Sequence, residues 1–235
     1  TRTFTFGTTG GTTTNAPNLT FTTGASVATL TTASWFNTLD FGTTSFNPGT
    51  TALNLNSLTL SGSGTYTTLT VTMVGTGTIT TNAKTIAALT INSAGTVTLA
   101  AALSCTTYTQ TAGTINFATF NLTCSSTAAY TSGTLSNIGT ITCTTWTVTG
   151  TFTLTQGTIT PSTSFVLTSG AFNYNGGTLS AVPTFTHTAG TVTLGQSYAL
   201  TATGTYTLTA GTLNLAGFTL TTGTFVSSNA NTRSI

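Results

Sequence analysis

An all-β fold, and within that class a single-chain β-solenoid (β-helix) with coils of about 19–21 residues, is what this sequence predicts. Three observations predict it. Threonine alternates with apolar residues at period two along most of the chain. The three cysteines, Cys105, Cys124 and Cys143, are separated by 19 residues each time, and glycine punctuates every block cut at that spacing. The alternative all-β reading is a β-sandwich, which gives no reason for cysteines to recur at one fixed interval.

The alternation is plainest in Thr3-Phe-Thr-Phe6, Tyr66-Thr-Thr-Leu-Thr-Val-Thr72, Thr149-Gly-Thr-Phe-Thr-Leu-Thr155 and Thr203-Gly-Thr-Tyr-Thr-Leu-Thr209. β-branched and aromatic side chains fit a pleated surface that is half buried, and period two places every second one on the same face. Gly, Asn and Ser interrupt the runs every few residues, which predicts short strands joined by tight turns. Helix signals are absent.

The longer period decides between β architectures. Cut at 19 residues, the middle of the chain becomes 87–105, 106–124, 125–143, 144–162 and 163–181, with Gly95, Gly113, Gly133 and Gly170 near the block centres and Gly150 and Gly157 flanking the fourth. Leu103, Leu122 and Ile141 stand two residues before the cysteines, so alternation turns both sets inward as one structural ladder. Downstream the period lengthens to 20 or 21, seen in Gly190 and Gly211. A unit this short cannot bury its own apolar face; stacking does that. Residues 1–235 are read as one continuous solenoid of about 12 coils, nearly 60 Å long at roughly 4.8 Å per rung, with a less regular coil over 30–50 that carries a longer aromatic loop.

Composition narrows the functions. Only Arg2, Asp40, Lys84 and Arg233 carry a full charge, 2% of the chain against about 25% in ordinary proteins, and nearly a third of the residues are threonine. Disorder pairs low hydrophobicity with high charge, whereas this chain is 38% hydrophobic. No apolar run approaches the roughly 18 residues of a membrane-spanning helix, so membrane insertion is not expected. With no Lys/Arg cluster to neutralise phosphates, nucleic acid is not an expected partner either. The first residue is threonine, which suggests a processed product or an internal segment.

Candidate chemistry is sparse. Glycosidic hydrolysis calls for two carboxyl groups, and one subunit offers Asp40 alone. A Ser-His-Asp set would have to join His187 to Asp40 across about eight coils. The expectation is no enzyme activity, no catalytic residue, no cofactor and no metal, since ligands in a straight column do not converge on an ion. The cysteines read as stacked free thiols acting as small hydrophobes. Tyr108, Trp146 and Phe165 share one place in the frame and read as a core ladder. Trp35 with Phe36 is the candidate ligand patch, for a surface glycan; Asn37, Asn47 and Asn54 suggest nothing specific. The triplets Ser104-Cys-Thr106, Thr123-Cys-Ser125 and Thr142-Cys-Thr144 resemble the Thr-Cys-Thr face of insect-type antifreeze solenoids. That resemblance implies ice binding, a minor alternative because it covers three coils.

Phrases such as Thr209-Ala-Gly-Thr-Leu-Asn-Leu-Ala-Gly-Phe-Thr-Leu220 resemble the Thr/Gly-rich tandem-repeat β-solenoid segments of phage fibre-like, bacterial adhesin-like and filament proteins. The resemblance implies an extracellular or virion-surface location and no site residues. The ends, Thr1-Arg-Thr-Phe4 and Thr232-Arg-Ser-Ile235, echo each other and lack the capping features that keep solenoids and sheet edges from pairing. The expected partner is therefore the protein itself, as a head-to-tail homopolymer or as tandem units of one long chain. The functional expectation is a structural, fibre-forming extracellular protein. The alternative is a phage tail-fibre or adhesin shaft that recognises a surface glycan.

Overall fold

The computed structural model describes residues 2–4, 18–20, 28–30, 34–40, 46–47, 52–60, 66–227 and 231–235. The described chain is all strand, with no helix, and its parallel coils stack about 19 residues apart into a β-solenoid of about nine turns. The expected 12 coils were counted over the whole chain, and much of the N-terminal remainder, including most of the 30–50 loop, lies outside the described residues.

One coil shows how the sequence makes the turn. The strand Thr158–Leu167 is followed by the corner Thr168-Ser169-Gly170, the short strand Ala171–Tyr174, a second corner at Asn175-Gly176-Gly177, and Thr178–Leu179. The long strands form a main wall and the short ones a second wall facing it. Along each strand burial alternates with the sequence: in Ala171–Tyr174, Phe172 and Tyr174 are buried while Ala171 and Asn173 are not.

Inward positions stack into columns. One runs Leu53, Val71, Leu89, Tyr108, Ala128, Trp146, Phe165, Phe185, Tyr206 and Phe225, each paired with the next. Its neighbour runs Phe36, Leu55, Met73, Ile91, Gln110, Tyr130, Val148, Leu167, His187 and Leu208. The step along a column ranges from 18 residues, Leu53 to Val71, to 21, Phe185 to Tyr206. A strict 19-residue frame would have put Thr127 between Tyr108 and Trp146. The structure puts Ala128 there, because Ser125-Ser126-Thr127 adds a residue after Cys124. Apolar side chains must occupy the interior, so coil length varies at the bends and not in the columns.

Toward the C-terminal half the core becomes aromatic. Phe165 lies 4.7 Å from Phe185 and Phe185 4.7 Å from Tyr206 along the main wall. Across the core, Phe172 of the second wall meets Phe165 at 4.6 Å. Tilted and offset contacts of this kind contribute roughly 0.5–1.5 kcal/mol each beyond area burial.

Candidate functional site

The cysteine ladder forms as stacked side chains. Leu103 pairs with Leu122 and Cys105 with Cys124; Leu122 pairs with Ile141, and Cys143 with Pro161 of the following coil. All three cysteines are buried and free, and the Cys105 and Cys124 sulfurs are 3.4 Å apart, a thiol–thiol hydrogen bond and not a disulfide. That bond and burial raise the Cys124 thiol well above its ordinary range. Burial pushes Cys143 up to about 12, against a smaller opposing contribution from the Ala128 backbone. The thiolate is the reactive form, so these groups are inert inside the fold. A disulfide reagent at pH 8 is expected to modify no cysteine in the native protein and all three after denaturation; rapid native labelling would contradict the burial.

Of the candidate ligand patch, Phe36 is fully buried, stacked on Leu55 as the first described member of its column, and is not available to a ligand. The side chain of Trp35 lies outside the described residues. Tyr108, Trp146 and Phe165 are at most 1% exposed, so they form a core spine and not a stacking platform. Asp40 and His187 are not brought together: Phe36, in the same strand as Asp40, is eight rungs below His187, about 38 Å at 4.8 Å per rung. Among the described residues, no group of three or more His, Cys, Asp or Glu side chains gathers where a metal ion could sit.

A polar ladder of asparagines runs beside the Phe36 column. Asn37 donates through Nδ2 to Asn18 Oδ1 at 2.8 Å, and Asn56 donates to Asn37 Oδ1 at 2.9 Å. The expectation that Asn37 is unspecific is thereby corrected. Its signal was the 19-residue interval itself, present in Asn18, Asn37 and Asn56 as it is in the cysteines. Gly75 holds the next place, and a Cβ there would stand 2.2 Å from Asn56 Oδ1. The ladder ends on that oxygen, which is buried without a hydrogen-bond partner.

Three polar groups in the Gln110–His187 column share one task, reaching the carbonyl of the corner glycine three residues on. Gln110 Nε2 donates to Gly113 O at 3.1 Å, Tyr130 OH to Gly133 O at 2.5 Å, and His187 Nε2 to Gly190 O at 3.2 Å. A carbonyl only accepts, so His187 carries its proton on Nε2, and Nδ1 accepts from Tyr206 OH at 3.1 Å. The neutral ring is thus fully satisfied, and burial lowers its pKa against a smaller raising effect of the Gly190 and Ala189 backbone.

A folded-state pKa below the unfolded value of about 6.5 makes the unfolded chain take up a proton that the folded chain refuses. The stability tied to His187 is therefore complete above about pH 6.5 and is lost as pH falls through the lowered folded value. His187→Gln, which copies Gln110 in the same column, is expected to flatten the denaturation midpoint between pH 7 and 5. An unchanged slope in the variant would assign the acid sensitivity elsewhere.

The outer face of the main wall is the most regular surface. One column reads Thr70, Ala88, Thr107, then Thr127, Thr145, Ser164, Thr184, Thr205 and Thr224; the second reads Thr72, Thr90, Thr109, Ala129, Thr147, Val166, Thr186, Thr207 and Val226. Rungs repeat at about 4.8 Å and the two columns lie about 6.6–6.8 Å apart along the strand. Thr145 and Ser164 hydroxyls meet at 3.1 Å between rungs. The residues beside the cysteines form a separate rank, in which Ser104 pairs with Thr123 and Thr123 with Thr142, apart from these two columns. No protein-family model, curated protein or solved structure matches the chain.

Proposed function

We propose that the protein is a non-enzymatic structural rod, working outside the cell or on a virion surface, that lengthens by adding rungs at its coil ends. The rung Thr224–Val226 carries the reading. Phe225 stacks parallel on Tyr206 at 5.6 Å with a 4° interplanar angle, yet is 39% exposed where Tyr206 and Phe185 are 1%. One further rung in register would bury it and pair the strand edge beneath it, at a gain of roughly 1–2 kcal/mol for the ring alone. A second copy or more of the same polypeptide would serve equally. A contact of this head-to-tail kind that does not close on itself makes a filament. The net charge of +2 leaves little repulsion between units.

Electron microscopy at neutral pH, paired with an intact mass of the native polypeptide, tests this. Filaments several times longer than one nine-turn rod, about 43 Å, are expected, and Phe225→Lys should shorten them without unfolding the chain. Uniform short rods at every concentration would overturn it.

A second reading has its own observation, the two-column threonine face. It presents hydroxyls and methyls in a neutral two-dimensional lattice across nine rungs, the arrangement an ordered water surface such as ice would match. Freezing-point hysteresis that disappears in Thr147→Lys supports this reading. Absence of hysteresis in the parent protein removes it.

A further inference from the structure

The main wall is hydrogen-bonded without interruption from Ala52–Thr59 to Thr224–Val226, but among the described residues the second wall is broken between Thr134–Ser136 and Thr151–Leu154. Its first part ends at Thr134–Ser136, which pairs only with the strand before it through Thr114, Ile115 and Asn116. Its second part begins at Thr151–Leu154, which pairs only with Ala171–Tyr174. These two strands face each other in successive coils with no ladder between them, and their Cα atoms stand for the most part more than 8 Å apart. Hydrogen-bonded strands lie about 4.8 Å apart, so these two edges are too far apart to pair with each other.

The cause is a corner. Three residues, Thr131-Ser132-Gly133, lead from Tyr130 to Thr134, and three, Thr168-Ser169-Gly170, lead from Leu167 to Ala171. Only two, Thr149-Gly150, lead from Val148 to Thr151. Gly150 consequently sits on the Thr131 carbonyl instead of over Gly133. Beyond the break the coils are pinned together again, where Thr158 N–H donates to Gly139 O. Between that bond and the one ahead of the break, from Thr149 N–H to Tyr130 O, the wall opens into a cleft of about 240 Å³, floored by Tyr130, Leu135 and Phe152 and rimmed by Thr134, Thr151 and Thr153.

The edges of the cleft are complementary to a strand. Ser136 O accepts from Phe117 on one side, and Leu154 O from Asn175 on the other. Alternation therefore turns the backbone N–H and C=O of Leu135, Thr151 and Thr153 toward the gap. Only another extended backbone offers donors and acceptors at the matching repeat to both edges together. The apolar floor calls for an inward apolar side chain flanked by small polar ones, and no charged residue lines the cleft.

We propose that this gap is a binding site for an extended, uncharged polypeptide strand in which threonine alternates with apolar residues, inserted parallel as the missing rung of the second wall. This is strand addition from the side of the rod and is independent of growth at its ends. Rungs such as Thr191–Leu194 and Thr205–Leu208 are strands of that chemistry, so the partner resembles the protein's own coils.

Labelled peptide Thr-Gly-Thr-Tyr-Thr-Leu-Thr, the sequence of residues 203–209, tests the proposal with amide hydrogen exchange as the readout. In the free protein the Leu135, Thr151 and Thr153 amides are expected to exchange faster than those of Phe172 and Asn173. Peptide should slow them about tenfold or more, and a peptide of the same composition without alternation should not. Thr153→Pro removes one gap-facing N–H at a position that donates to no neighbour strand, so it should abolish the protection while leaving the melting curve in place. If protection instead rises with protein concentration alone and is lost in Thr153→Pro, a second copy supplies the strand and the proposal holds. Amides already protected in the dilute free protein, or peptide protection confined to Thr224–Val226, overturn it.

Discussion

Replacing Gly170 by alanine is expected to destabilise the solenoid by about 3 kcal/mol or more, a large share of the roughly 5–15 kcal/mol that holds a domain folded. Two costs coincide. Gly170 has φ +75°, where an L side chain is strained by roughly 1–2 kcal/mol. In addition a Cβ would lie 2.3 Å from Gly150 O, and because that atom is backbone, a whole corner would have to shift. The same carbonyl column continues upward, since a Cβ on Gly190 would lie 2.2 Å from Gly170 O. Gly217 separates the two costs, with φ +85° and nothing within 4 Å of a built Cβ. Gly217→Ala should therefore cost only the conformational part, about 1–2 kcal/mol. Denaturant titration of both variants checks the difference; equal losses would show that close stacking of the corners contributes nothing.

Phe172→Ala is expected to cost about 3–5 kcal/mol. Phe172 is the hub of the aromatic core: its ring lies 4.6 Å from Phe165, 6.0 Å from Phe152, 6.1 Å from Tyr174 and 6.3 Å from Phe185. Those partners belong to three successive coils and both walls, so they cannot collapse together into the cavity. Phe172→Leu should cost about 1–2 kcal/mol, because Val192 and Leu213 already fill equivalent places higher in the same column. Coils contact only their neighbours, so hydrogen exchange should show the loss concentrated around 145–200, not spread evenly. An even loss along the rod would mean that the solenoid unfolds as one unit.

Which groups point inward was legible from local chemistry. Thr-Phe-Thr-Leu at 151–154 alternates exposed and buried as its pattern demands, and the cysteine interval brought out the coil length. The asparagine ladder carries the same interval but is not legible locally, because asparagine is also a common turn residue and its amide partners appear only once coils are stacked. The glycine-carbonyl contacts of Gln110, Tyr130 and His187 were hidden for a related reason: each joins a strand to a corner whose path depends on the coils around it.

The broken second wall marks the boundary between the two kinds of information. Its trace in the sequence is the displaced glycine of the fourth block, Gly150 in place of a central one. By itself the sequence determined that this chain is a stack of short strands with a threonine surface and an apolar interior, because period two is set by the geometry of a single strand. Only the tertiary structure decided which rungs touch. Register between coils depends on how many residues each corner consumes, and a difference of one residue at Thr149-Gly150 propagates through long-range packing into an unpaired edge that no local pattern encodes.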